Sequence, residues 1–263
     1  MTLVIGLKWR FEDSDAILIT SDSKVTTSLG ITYEMRKIYP ILLDENKPVA
    51  LAGVAGDASL AKQGAETAEE VLLSYARERF PIDRDGFRSA VRDIERRLVR
   101  RFSELRSYGI DTSFQMLLGS VDLEGRGSLY LLDSRGLSEP VHDNPGYAII
   151  GSGMVTGGIL LFRMIGFDPG LELGLLSAFI IDSVSEVDSS VGQFIGDSYL
   201  MRLETANGER RIVMGPLKDE VLIKYKEQIR ARREIIGKIW RLCDELGEEK
   251  ITGFINDLEK QKH

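Results

Sequence analysis

The run Pro48-Val49-Ala50-Leu51-Ala52-Gly53-Val54-Ala55-Gly56-Asp57 changes character at its last residue. The first nine residues are small or apolar and read as a buried strand. Asp57 reads as a helix N-cap, because its short carboxylate can accept from the free N–H groups of a first turn. Apolar positions Ala61, Ala65, Ala68, Leu72 and Tyr75 then recur at helical spacing to about Phe80. After Pro81-Ile82-Asp83, positions Phe87, Val91, Ile94, Leu98, Phe102 and Leu105 step by three and four, so a second amphipathic helix follows. Its arginines, from Arg92 to Arg106, fall on the other face, which predicts a solvated surface. The alternative for that face is docking of an acidic partner or a neighbouring subunit.

Upstream of this strand lie three more apolar runs, at 2–8, 16–20 and 37–43, separated by short polar connections, so the first fifty residues read as sheet. Downstream of the helices, segments 113–121, 127–132 and 147–150 have strand character, and 157–164 and 171–187 return to helical texture. A last hairpin is predicted from 199–204 and 211–214 around Asn207-Gly208. Strands, two helices, strands, two helices and strands predict an α+β fold, with two sheets face to face and helix pairs outside them: a four-layer αββα sandwich. From Leu217 the chain becomes charged helix with an apolar stripe at Leu222, Tyr225, Ile229, Ile236, Ile239 and Cys243, and a shorter helix follows Gly247. The expected division is a core over 1–215 and a helical appendage over 216–263. Cys243, on the stripe, reads as a small buried hydrophobe.

Composition removes most hydrolase chemistries. Two histidines, His142 and His263, and one cysteine in 263 residues leave no material for zinc clusters, disulfides or Cys-His pairs. A Ser-His-Asp triad would need His142, which sits among turn formers and reads as a surface loop residue. No phosphate-loop motif is present, and Gly151-Ser152-Gly153 is too short to stand as a dinucleotide loop. A net charge of −7 argues against a nucleic-acid or anionic-membrane surface. No apolar run reaches the length of a membrane span and no signal-peptide pattern opens the chain, so a cytoplasmic protein is expected. No cofactor and no metal are expected.

Thr2 follows Met1 directly. Removal of Met1 would leave a threonine with a free α-amine, and an amine with an ordinary pKa of about 7.7 to 8.0 can take the proton of the hydroxyl beside it. Nucleophile and base then reside in one residue.

Several local motifs in register make the chain resemble a proteasome β-type subunit of the N-terminal nucleophile hydrolases. These are Thr2 with Gly6, Ser21-Asp22-Ser23-Lys24, Met35-Arg36-Lys37-Ile38-Tyr39, Ala52-Gly53-Val54-Ala55-Gly56-Asp57, and Gly151-Ser152-Gly153. The similarity runs from Thr2 to about Gly215. The resemblance implies Thr2 as nucleophile, Lys37 as its electrostatic partner, Asp22 as the counter-ion of Lys37, the Gly53 N–H as oxyanion donor, and Ser152 and Asp188 as residues that orient the N-terminus. It further implies a first side-chain pocket at Val25, Met35, Leu51 and Ala55, with main-chain hydrogen bonds to an extended peptide at Thr26 and Ala55. All four pocket positions are apolar, so uncharged side chains before the scissile bond are expected.

One departure stands out: the family's Asp-x-x-Ser-Gly reads here Asp188-Ser189-Ser190-Val191-Gly192. A valine replaces the hydroxyl, and Ser190 lies one residue early. A longer propeptide is common in the family, whereas here trimming of Met1 would have to expose Thr2.

The resemblance therefore implies a threonine endopeptidase that hydrolyses peptides or unfolded protein in a homo-oligomeric ring or stack, with an ATPase or regulatory cap as a possible partner. Two alternatives stay open. One is a non-catalytic shell or scaffold subunit; the other is an amidase or peptide ligase using the same acyl chemistry.

Overall fold

The computed structural model describes residues 2–260 apart from Glu12, Ser23, 27–31, 168–171 and Asn207. The chain divides into two compact units, Met1–Lys218 and Asp219–His263.

The first unit is built on two antiparallel five-stranded sheets. One has the order β10-β1-β2-β11-β12 and the other β5-β6-β7-β8-β9. In the first, β1 (Leu3–Phe11) pairs with β2 (Ser14–Ser21) and β10 (Tyr147–Gly151), and β11 (Asp197–Ala206) pairs with β2 and β12 (Glu209–Pro216). In the second, β6 (Pro48–Gly56) lies between β5 (Ile38–Leu42) and β7 (Phe114–Val121), followed by β8 (Gly127–Leu132) and β9 (Ser138–Pro140). The short strands β3 (Lys24–Thr26) and β4 (Thr32–Glu34) form a separate ribbon.

Strand alternation sorts the side chains into distinct cores. Val4, Ile17, Ile19, Leu51, Leu117 and Leu129 meet between the sheets. Their strand neighbours turn the other way: Ala50, Ala52 and Val54 pack with helices α1 (Ala58–Glu78) and α2 (Arg84–Ser107), while Leu3, Ile5 and Leu7 pack with α3 (Met154–Phe167) and α4 (Leu173–Val187). Asp57 caps α1 as expected, its Oδ1 accepting from the N–H groups of Ser59 and Leu60.

The expected four-layer αββα sandwich is not what the chain forms. Among the described residues the fold is a mixed α+β arrangement of two five-stranded antiparallel sheets, a two-stranded ribbon and six helices, two of them in the second unit. Element order and periodicity indicate the longer strands and the helices. They do not register the ribbon, whose strands of three residues are too short to leave a period-2 signal.

Two local readings also change. His142 is 6% exposed rather than a surface residue; its Nδ1 lies 3.0 Å from the Leu129 carbonyl and its ring packs on Tyr130. Turn formers surround it in sequence, but strand β9, too short for a period-2 signal, leads the chain back along the sheet edge. Cys243 is half-buried instead of buried. The expected β11–β12 turn falls at residues 207–208, where Gly208 has φ +81° and Asn207 lies outside the described residues.

In the second unit, α5 (Asp219–Leu246) and α6 (Glu248–Lys260) are joined by Gly247 at φ +85°, a left-handed helix end that glycine adopts without strain. Tyr225 and Ile229 of the α5 stripe are buried, whereas Ile236 and Ile239 are exposed.

Candidate active site

Three strand ends place the charged centre. Thr2 precedes β1, Asp22 follows β2, and Lys37 precedes β5 in the opposite sheet. Antiparallel pairing of β1 with β2 sets Leu3 beside Asp22, so Asp22 N–H donates to the Leu3 carbonyl at 3.2 Å and Leu3 N–H donates to Asp22 Oδ1 at 2.8 Å. Lys37 reaches the same oxygen from the other sheet.

The Asp22 carboxylate, 0% exposed, is the hub. Its Oδ1 accepts from Thr2 Oγ1 at 2.9 Å, Leu3 N–H at 2.8 Å and Lys37 Nζ at 2.7 Å. Its Oδ2 accepts from Lys24 N–H at 3.1 Å and Gly192 N–H at 2.8 Å. These donors use the roughly four lone-pair sites an ionised carboxylate offers, so a charge can be held without water. Lys37, 2% exposed, also donates to the Lys24 carbonyl at 2.6 Å. Burial pulls the Lys37 ammonium below the usual lysine range, and the attraction of Asp22 opposes that pull.

A second group surrounds the Thr2 main chain. Ser152 Oγ donates to the Thr2 carbonyl at 3.4 Å and lies 3.0 Å from Ser190 Oγ, which in turn donates to Asp188 Oδ1. Ser190 N–H also donates to Asp188 Oδ1, at 2.9 Å. Ser190 thus completes an Asp188–Ser190–Ser152–Thr2 chain. Val191, the departure in sequence, turns into the core with Leu3 and Val184, and Gly192 then meets Asp22. Gly192 has no room for a side chain: a Cβ there would lie 2.9 Å from Lys24 Cβ.

Of the six catalytic candidates, Thr2, Asp22 and Lys37 are joined directly, and Ser152 and Asp188 reach Thr2 through hydroxyls. Gly53 is placed differently. A Cβ at Gly53 would lie 2.8 Å from both Val4 and Ile19, so the missing side chain serves the close approach of the sheets. Because Val54 N–H donates to the carbonyl of Lys37, just ahead of β5, strand alternation directs the Gly53 N–H toward β7, opposite Leu117. Among the pocket candidates, Leu51 and Ala55 lie in the core between the sheets and Met35 is half-buried. Val25 and Thr26 sit on β3, paired with Tyr33 and Thr32; their side chains lie outside the described residues.

A cavity of about 480 Å³ opens beside Thr2, lined by Ser113, Phe114, Gln115 and Ser152 among others. Gln115 was not anticipated from sequence; its Oε1 accepts the Gly151 N–H at 2.9 Å and holds the turn that carries Ser152. Lys24 was also missed, although it binds both Asp22 and Lys37. Its place two residues after Asp22 was the available signal, since a carboxylate at a strand end commonly accepts a main-chain N–H two residues on. Among the described residues no group of acidic, histidine and cysteine side chains is placed to hold a metal ion, and no helix is long and apolar enough to cross a membrane.

Neither protein-family models nor curated proteins match the chain. Solved structures do. Anbu (ancestral beta-subunit) from Yersinia bercovieri superposes with a TM-score of 0.67 at 15% identity, over 91% of this chain and 97% of that one. A mutant Anbu from Hyphomicrobium sp. strain MC1 gives 0.64 at 14% identity, over 92% and 97%. The fold is that of the ancestral β-subunit. This corrects the resemblance drawn from sequence: the structural neighbours are ancestral β-subunits, related to the proteasome β-type family but not the same. The motifs that carried the resemblance are short and centre on Thr2, Asp22 and Lys37, and such a constellation does not separate related groups that share the ancestral-β-subunit fold.

Proposed function

We propose that this chain is an amide-bond hydrolase of the threonine type, acting on peptides or unfolded segments as part of a homo-oligomer. The observation that carries the reading is the buried Asp22 oxygen that holds the Thr2 hydroxyl and the Lys37 ammonium together. The chemistry requires removal of Met1. The freed Thr2 amine then takes the Oγ1 proton, Oγ1 attacks the carbonyl carbon of the substrate, and the C–N bond breaks as the amine returns that proton to the leaving nitrogen. Water, deprotonated by the same amine, hydrolyses the ester on Thr2.

Each neighbour has a role in this scheme. Lys37 stabilises the negative charge developing on Oγ1, and Asp22 offsets the cost of burying that lysine. Ser152, supported by Ser190 and Asp188, holds the Thr2 main chain so that its amine stays beside its own hydroxyl. The cavity beside Thr2 is where substrate atoms fit. The similarity to proteins described as subunits supports assembly into an oligomer.

Intact-mass measurement followed by hydrolysis of fluorogenic peptides tests the reading. Wild type should lack Met1 and turn peptides over, and Thr2→Ala should lose about 10⁴-fold or more of the rate. An active protein that retains Met1 would remove the base from the mechanism and end the proposal.

A further inference from the structure

A second cavity, of about 490 Å³, lies where α2 borders β8 and β9, on the face of the β5–β9 sheet that packs with the helices. Arg88, Arg92 and Arg96 line it together with Tyr130, Ser138 and Glu95. The three arginines are four residues apart, so they stand on one stripe of the helix about 6 Å from one another along its axis.

Most charges here are already engaged. Arg88 Nη2 meets Asp85 at 3.0 Å, Arg96 Nη2 meets Asp93, and Glu95 accepts from both the N–H and the hydroxyl of Ser138. Arg92 is the exception, having no ion-pair or hydrogen-bond partner among the described residues. Arg88 and Arg96 keep spare donors, because each guanidinium has five N–H groups and these contacts use one of them.

An independent observation comes from the wall. Tyr130, which lines the cavity, is only 6% exposed, yet its hydroxyl has no hydrogen-bond partner among the described residues. A phenol with an unspent O–H thus shares the lining with an arginine that has no ion pair, and the one carboxylate of the lining, Glu95, is already engaged by Ser138.

From this we infer a binding site for a small phosphate-bearing molecule, its phosphoryl oxygens held by Arg92, by the free donors of Arg88 and Arg96, and by the Tyr130 hydroxyl. A carboxylate presents two coplanar oxygens that one guanidinium fork satisfies. Three forks spread over about 12 Å of helix, at 1.5 Å per residue, instead match the tetrahedral and repeated oxygens of a diphosphate or phosphate ester. The cavity has the volume of an ordinary small-molecule site, roughly 300–1,000 Å³. The site is separate from the proposed peptidase centre, so it stands whether or not Thr2 is catalytic.

Calorimetric titration of the purified full chain at low ionic strength, with pyrophosphate and with citrate, tests the inference. Pyrophosphate should bind saturably and more tightly than citrate. Arg92→Gln should weaken it by about tenfold or more, the scale of a lost charge-assisted contact. Tyr130→Phe should weaken it a few-fold, roughly the effect of one neutral hydrogen bond, at an unchanged melting temperature. Arg101→Gln, on the opposite side of α2, should bind like wild type. The inference is overturned by no saturable binding up to about 10 mM, by tighter binding of citrate, or by Arg92→Gln or Tyr130→Phe binding as tightly as wild type.

Discussion

Lys37–Asp22 and Arg97–Glu70 are both cation–carboxylate pairs, at 2.7 and 2.9 Å, and they do different things. Both side chains of the first are 3% exposed or less, and those of the second are 51% and 71% exposed. In water, the attraction of the second pair is screened and offset by the ordering of two long side chains. In the first, burial keeps bulk solvent away, and five donors from the protein surround Asp22. A buried pair is therefore a commitment of the whole site: removing either member strands the other.

The largest effect should follow from breaking the buried pair. Asp22→Ala leaves Lys37 charged without a partner and frees the Thr2 hydroxyl, and should cost about 3–5 kcal/mol in urea unfolding, with peptide hydrolysis lost. A cost below about 1 kcal/mol would mean that the pair does not organise this end of the sheets.

pH should separate rate from stability at the same residue. With the Lys37 pKa below its ordinary value of 10.5, the unfolded chain binds more protons than the folded one between the folded value and 10.5. Stability from this group therefore rises with pH across that window. The rate should fall over the same window as the ammonium is lost. Lys37→Met should abolish the stability slope, as followed by thermal melts at a series of pH values. An unchanged slope would place the titration elsewhere.

Smaller still is Ser190→Ala, which removes the hydroxyl between Asp188 and Ser152 and should cost about 1 kcal/mol, with a moderate loss of rate and no change in the apparent affinity for peptide. If the rate is untouched, the Asp188–Ser190–Ser152 chain is only packing. At the bottom of the scale, Glu70→Gln in the exposed pair should stay within about 0.5 kcal/mol of wild type by the same unfolding assay. A larger loss there would blur the distinction between the two pairs.

Much of this arrangement was legible from residues alone. The Pro48–Gly56 strand, the Asp57 cap and the helices with their apolar stripes follow from periodicity and capping, which act over a few neighbouring residues. The nearness of Thr2, Asp22 and Lys37 was suggested only by resemblance, since no local rule links positions 2, 22 and 37. Ser190 was visible as a displaced hydroxyl, but whether the turn after Asp188 would present it to Ser152 depended on Val191 having a core to enter.

By itself, the sequence determined the longer strands and the helices, and its two histidines and one cysteine set the expectation against zinc and cysteine chemistry. Only the tertiary structure decided that Gly53 faces Val4 and Ile19, that His142 is enclosed, that Lys24 braces the charged pair, and that Arg92 and Tyr130 line one cavity. Secondary structure is written in short-range periodicity and backbone preference, whereas burial and polar pairing depend on which distant strands come within hydrogen-bonding reach.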